Sequence, residues 1–263
     1  MTAINRRSAA LALLFAGAAL SAAAFAQAQK ASTYEPTSGQ AGKDVVWVPT
    51  PQVLVDKMLD MAKVTPADFV MDLGSGDGRT VITAAKRGAR AMGVEYNPDM
   101  VELSKRNAAK EGVQAKATFV KADLFATDFS RATVITMFLL PDINVKLRPK
   151  ILALKPGTRV VSNSFTMDEW KTDLTVTLEE KDGCTASWCT AHLWIVPARA
   201  EGSYKLKQGD LVLKQQFQML TGTLTADGRT YALEGKVNGE DVSFTAGGKT
   251  YQGRMNGKSL ELR

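Results

Sequence analysis

Three carboxylates follow three short apolar runs in order along the chain. Asp72 comes at the end of Phe69-Val70-Met71, Glu95 ends Ala91–Val94, and Asp123 follows Phe119-Val120-Lys121-Ala122. Between the first two lies Leu73-Gly74-Ser75-Gly76-Asp77-Gly78, with glycines at alternate positions. Apolar runs this short read as buried parallel strands. Glycine reaches positive φ, and without a Cβ it lets a ligand approach the backbone closely. A helix opening near Arg79 would turn its free N–H groups and partial positive charge toward that turn. An acid about 20 residues past a glycine-rich first loop suits the two hydroxyls of a ribose. Glu95 stands in that place, and the arrangement describes a nucleoside-binding βαβ unit. An ordinary glycine turn in an α/β sheet is the plainer alternative.

A dinucleotide site expects G-x-G-x-x-G, whereas here the third glycine, Gly78, comes one residue early. A P-loop needs G-x-x-x-x-G-K-[ST], and no Lys-Ser or Lys-Thr follows these glycines. The pattern apolar-Asp-Leu-Gly-x-Gly-x-Gly, with Glu95 and then Val120-Lys121-Ala122-Asp123-Leu124, instead resembles motif I and its sequel in the class I S-adenosylmethionine-dependent methyltransferases. The resemblance implies S-adenosyl-L-methionine as cofactor. It assigns Asp72 to the loop and the methionine amine, Gly74 and Gly76 to close approach with Ser75 between them also at the cofactor, Glu95 to the ribose, and Asp123 with Leu124 to adenine. Asp72 could equally be an acid that braces the loop.

The elements that must hold these residues follow from pattern. Val45–Pro51 carries two prolines two apart, so it is extended, and Pro51 can be the first residue of a helix running through Ala62. Strands are predicted at Phe69–Leu73, Ala91–Glu95, Ala117–Val120, Thr133–Leu139 and Arg159–Asn163. Helices are predicted from Arg79 and, capped by Asn97, from Pro98 to about Lys110. A helix after Pro141 contains Pro149 and is expected to break there. Two further strands, near Leu174–Leu178 and Ala191–Val196, complete an α/β fold: a doubly wound, Rossmann-like, seven-stranded methyltransferase sheet with a reversed last strand.

The ends of the chain differ from this middle. Arg6-Arg7, an alanine- and leucine-rich core and small residues up to Ala28 describe a secretory signal peptide over residues 1–28. The core is too short for a membrane span of ~20 residues, so no transmembrane segment is expected after cleavage. The expected location is the periplasm or the exterior, by the general route rather than the twin-arginine one. Residues 29–43 read as a flexible lead-in, and residues 44–198 as the cofactor-binding domain. The chain has 33 basic and 27 acidic residues; without the two leader arginines the excess is +4, with no basic stripe. No nucleic-acid partner is expected. Cys184 and Cys189 are either a hairpin disulfide or two free thiols, and two cysteines with one histidine are too few for a structural metal site. Beyond residue 202, period-two alternation through Leu211, Leu213, Gln215, Phe217 and Met219, then Gly-containing turns, predicts an all-β meander of about six strands with no catalytic groups.

Val48-Pro49-Thr50-Pro51, the Asp72–Arg79 loop and Phe138-Leu139-Leu140-Pro141 together resemble bacterial relatives of the small mitochondrial protein-lysine methyltransferases, over roughly residues 45–197. The resemblance implies a protein, lysyl, acceptor. It makes Thr50 a contact for the amino-acid end of the cofactor and places Phe138 and Pro141 at the substrate. Core packing for Phe138 and a helix start for Pro141 are the alternatives, and His192 and Trp194 read as packing residues. A small-molecule methyltransferase, or an exported binding module without catalysis, are the competing functions.

Overall fold

The computed structural model describes residues 34–263, so the leader expected over residues 1–28 lies outside the described residues. The three chemistry-bearing strands lie side by side at one end of a seven-stranded sheet, from its edge toward its centre. Its members are β1 (Phe69–Leu73), β2 (Arg90–Glu95), β3 (Ala117–Lys121), β4 (Val134–Met137), β5 (Arg159–Asn163), β6 (Leu174–Thr177) and β7 (Thr190–Ile195), in the order β3-β2-β1-β4-β5-β7-β6. The first five run parallel, and β7 is antiparallel to both its neighbours. The strand order reverses direction between β1 and β4, so the carboxyl ends of these two strands open a crevice there.

Helices α1 (Gln52–Met61), α2 (Arg79–Lys86) and α3 (Pro98–Lys110) pack on one face through Leu54, Val81 and Val101 against Val70, Val134 and Val161. Helix α4 (Pro141–Leu152) covers the other face through Ile143, Leu147 and Ile151 against Met71, Ile135 and Val160. Alternate residues of one strand thus enter two cores, as a sheet buried on both sides requires. Asn97 caps α3 as expected, its side chain accepting from the N–H groups of Asp99 and Met100 at 2.9 and 3.4 Å. Pro51, expected as the first helical residue, is instead the extended residue that caps α1. None of the described helices is long and apolar enough to cross a membrane.

The expected break at Pro149 does not occur, and α4 runs through it. Pro149 is exposed, so its ring stands on the solvent side of the helix. The flanks are pinned: Leu147 and Ile151 are buried, and Lys150 Nζ donates to the carbonyls of Phe125 (3.1 Å) and Thr127.

Residues 202–262 form a second sheet of seven strands rather than about six. They are β8 (Gly202–Leu206), β9 (Gly209–Gln216), β10 (Met219–Ala226), β11 (Arg229–Asn238), β12 (Asp241–Ala246), β13 (Lys249–Asn256) and β14 (Ser259–Leu262), each paired antiparallel with the next. The first and last strands approach each other, so the sheet curls almost into a barrel around Leu213, Leu224, Val242 and Phe244. The extra strand arises because Phe217, read as mid-strand, is a turn residue at φ 52°. Its ring stacks on Trp170 at 6.1 Å, and the neighbouring Gln218 Nε2 donates to Lys171 O at 2.7 Å. Tertiary contact with the first sheet therefore sets that turn, not turn chemistry.

Candidate active site

The loop after β1 is shaped by its glycines. Gly74, Gly76 and Gly78 have φ of 80°, 53° and 83°, a region L side chains rarely enter. A Cβ on Gly78 would fall 2.8 Å from the Phe119 ring and 2.9 Å from Ser104. Further bonds fix the loop from behind: Ser104 Oγ donates to Gly76 O (2.8 Å) and Asn107 Nδ2 to Asp77 O (3.0 Å). Arg79 forms a fork on the Asp77 carboxylate while its Nη1 donates to Thr50 O at 2.9 Å. That last bond ties the segment before α1 to the loop.

The three acids occupy distinct electrostatic settings on one cleft. Asp72 is buried and accepts a 2.6 Å bond from Thr136 Oγ1. Burial pushes its carboxyl up to about 7; the Thr136 bond opposes this, and the charges of Glu95 and Asp77 add to it. Glu95 at the end of β2 accepts from Gly76 N–H and from Asn97 N–H, both at 2.9 Å, so one carboxylate spans two loops. Asp123 beyond β3 meets Lys43 Nζ at 2.7 Å and accepts from Phe125 N–H at 2.8 Å. The Lys43 bond is the main cause that holds this carboxyl below its ordinary value and raises the lysine.

Thr50, Asp72, Gly74, Ser75, Gly76, Glu95, Asp123, Leu124 and Phe138 all border this cleft, and Pro141 does not; it opens α4. Cys184 and Cys189 are joined by a disulfide with Cα atoms 6.1 Å apart, outside the cleft lining. His192, half-buried, bonds Thr175 Oγ1 through Nδ1 (3.0 Å) and lies 3.3 Å from Ser164 O through Nε2, away from the cleft.

Several cleft residues carried no local signal. Gln40 to Lys43, expected in the lead-in, lie on the cleft, and the segment folds back on itself through Trp47 N–H to Gln40 O (2.9 Å) and Gly39 N–H to Trp47 O (2.8 Å). The Trp47 indole rests on the bare backbone of Gly76, where a Cβ would fall 2.5 Å from its Nε1. Asn163, ending β5, donates to Thr50 Oγ1 at 3.2 Å. The three-way ring cluster of Phe138, Phe165 and Trp188, with centroids 5.9–6.1 Å apart, joins three distant loops. Only Phe138 of these was visible beforehand, by its place after β4.

Comparison with known proteins matches residues 72–174 to the ANTKMT methyltransferase domain family. A protein-lysine N-methyltransferase of Saccharolobus islandicus (strain REY15A) is 46% identical over 139 residues, which is 52% of this chain and 86% of that protein. The adenine nucleotide translocase lysine N-methyltransferase of Mus musculus is 36% identical over 119 residues, 44% of this chain and 52% of its own length. The chain thus spans about half the length of that mammalian relative. A Salinibacter ruber protein, described as an RNA methyltransferase and crystallised with S-adenosyl-L-homocysteine, is 46% identical. It superposes at a TM-score of 0.53 over 57% of this chain and 94% of its own.

Proposed function

We propose that this chain, which belongs to the class I S-adenosylmethionine-dependent methyltransferases and to the family that includes the protein-lysine N-methyltransferases, methylates the side-chain amine of a lysine in a protein. The observation that carries the reading is the convergence of Asp72, Glu95 and Asp123, from three neighbouring strands, on one glycine-lined cleft. The order of those strands, with helices on both faces, supports the finer description of a doubly wound, Rossmann-like sheet. The extent and identity of the match to the Saccharolobus islandicus enzyme support lysine as acceptor.

The residues present fit the cofactor. Gly74 and Gly76 line the cleft, their bare faces meeting Leu139 and Trp47, and Ser75 Oγ is buried without a protein partner. Glu95 keeps lone pairs on both oxygens for a diol, and Asp72 presents a buried carboxyl suited to a cation. When bound, S-adenosylmethionine supplies a methyl carbon on a sulfonium that leaves as a neutral thioether. The protein's part is therefore to align and to exclude water rather than to supply a strong base. Asp72, Glu95 and Asp123 would anchor the cofactor at three points. Thr50, held by Asn163, would meet the amino-acid end of the cofactor, and Phe138 borders the cleft on the acceptor side. An apolar approach there lowers the pKa of an arriving ammonium and favours the neutral amine.

We also place the enzyme outside the cytoplasm, with the catalytic domain at 44–198 and the β domain at 202–263. The leader-like residues 1–28 and the Cys184–Cys189 bridge support export.

Calorimetric titration of the mature protein with S-adenosylhomocysteine is expected to give micromolar binding that drops at least tenfold in Glu95→Ala. Isotopic methyl transfer to envelope protein and to RNA, followed by hydrolysis, is expected to yield methyl-lysine. Label confined to RNA would sink the lysine reading and favour the activity ascribed to the Salinibacter ruber relative.

A further inference from the structure

Trp188 is a large apolar side chain left 39% exposed, and it lies inside a six-residue loop closed by Cys184–Cys189. The loop joins β6 to β7 and is anchored at its base by Leu178 N–H to Cys189 O at 2.8 Å. Trp188 would otherwise sit on a free hairpin tip. The bridge holds it 5.9 Å from both Phe138 and Phe165, tilted 58° and 49° to them, while those two rings stack at 24°. Beside this cluster runs a second cavity, bounded on its other side by the strap at Gly42–Val46. Phe138, Leu139 and the strap border this cavity and the cofactor cleft alike, so the two are adjacent. Lys43 and Asp44, ion-paired at 3.5 Å, border the same cavity, so its discrimination comes from the rings.

We propose that the Phe138–Phe165–Trp188 wall is the acceptor subsite for the alkyl-ammonium arm of lysine and its methylated forms, and that the disulfide holds Trp188 in place there. The proposal rests on the lysine reading above and extends it to Phe165, Trp188 and the bridge. Aromatic faces attract an ammonium, and they suit methylated nitrogen because it has fewer N–H groups to satisfy. An apolar wall alone would take any aliphatic chain; the ring faces favour an ammonium without a carboxylate that would hold its proton. Trp188 thus acts as a specificity residue, and its seat depends on an oxidised loop.

The test uses the oxidised full chain loaded with S-adenosylhomocysteine, titrated with Nα-acetyl-Nε-trimethyllysine amide and with its uncharged carbon isostere. The cationic probe is expected to bind at least tenfold more tightly than the isostere. Trp188→Ala is expected to lose that binding and Trp188→Phe to keep most of it. The Cys184→Ser/Cys189→Ser double variant is expected to weaken it severalfold. S-adenosylhomocysteine affinity, measured in every variant, should stay within twofold of wild type and reports that the cleft is folded. Equal binding of cation and isostere, or an unchanged cation affinity in Trp188→Ala, overturns the proposal. Failure of wild type to bind S-adenosylhomocysteine would instead overturn the cofactor reading, and this proposal with it.

Discussion

At the residue scale, the consequential group is Asp72. Its carboxyl rises from 3.8 to about 7 in the folded protein, mainly through burial. The sign follows directly. Between pH 4 and 7 the folded chain keeps a proton that the unfolded chain has released, so unfolding releases protons and stability falls as pH rises. The loss is complete above 7 and is on the order of 4 kcal/mol. Asp72→Asn keeps an oxygen for the Thr136 hydroxyl and removes the charge. It is expected to raise the melting temperature of the ligand-free protein at pH 8 and to leave it nearly unchanged at pH 4. A cationic ligand has the opposite preference, because it favours the ionised carboxylate. Wild-type affinity for S-adenosylmethionine should climb by up to tenfold per pH unit below 7, and the Asn variant should lose that climb. Parallel pH profiles for the two proteins, in melting or in binding, would refute the role given to Asp72. The acid itself was legible in the sequence because it ends an apolar run before glycines. Thr136 was not, since it lies 64 residues away on a neighbouring strand and nothing local marks a threonine as a carboxylate's partner.

At the element scale, the strap ahead of α1 covers the cofactor cleft, with Lys43 on Asp123 and Trp47 on Gly76. Asp123 Oδ2, the oxygen that meets Lys43, belongs to the carboxylate the family resemblance assigns to adenine. Binding therefore competes with an exposed ion pair. Lys43→Ala is expected to tighten S-adenosylhomocysteine binding a few-fold, and added salt should bring wild type toward the variant, because exposed pairs are screened. Weaker binding in Lys43→Ala would show instead that the lysine helps to hold the ligand. The strap was misjudged from sequence for a physical reason: a polar segment with Gly, Ser and Pro lacks the periodicity that marks an element, and only the cleft gives it a place. Where periodicity and caps operate locally, as in β1, β5 and α3, element boundaries were legible. They failed at Pro149 and Phe217, where packing overrides backbone preference. The ring cluster was illegible for the same reason as Thr136, since Phe138, Phe165 and Trp188 meet only through the sheet order.

At the scale of the whole molecule, the question is what the curled β sheet does for an enzyme whose matched relatives align with only about half of the chain. Its contacts with the first sheet run through Phe217 on Trp170, Gln218 on Lys171 O, Ala198 N–H to Gly239 O, and Lys236 on Asp173 at 2.6 Å. None of these residues borders the cofactor cleft. Asp173 is 7% exposed at its side chain and its other oxygen accepts from Ile195 N–H, so it is a nearly buried carboxylate whose cation comes from the β sheet. Removing that cation leaves a buried charge behind. Because Lys236 is itself 42% exposed, the expected cost of Lys236→Ala is about 1–3 kcal/mol, below that of a fully buried pair. Phe217→Ala removes a ring from Trp170 and from the Arg148 guanidinium 5.2 Å away, for about 2–3 kcal/mol more. Urea midpoints should fall accordingly in both variants, while S-adenosylhomocysteine affinity stays within twofold. That pairing of outcomes is what a brace produces, since it holds Trp170 and the β6 end of the catalytic sheet without touching the chemistry. A change in cofactor affinity with an unmoved midpoint would mean the opposite: the β sheet would then bias the cleft across the first sheet, and its role would be regulatory.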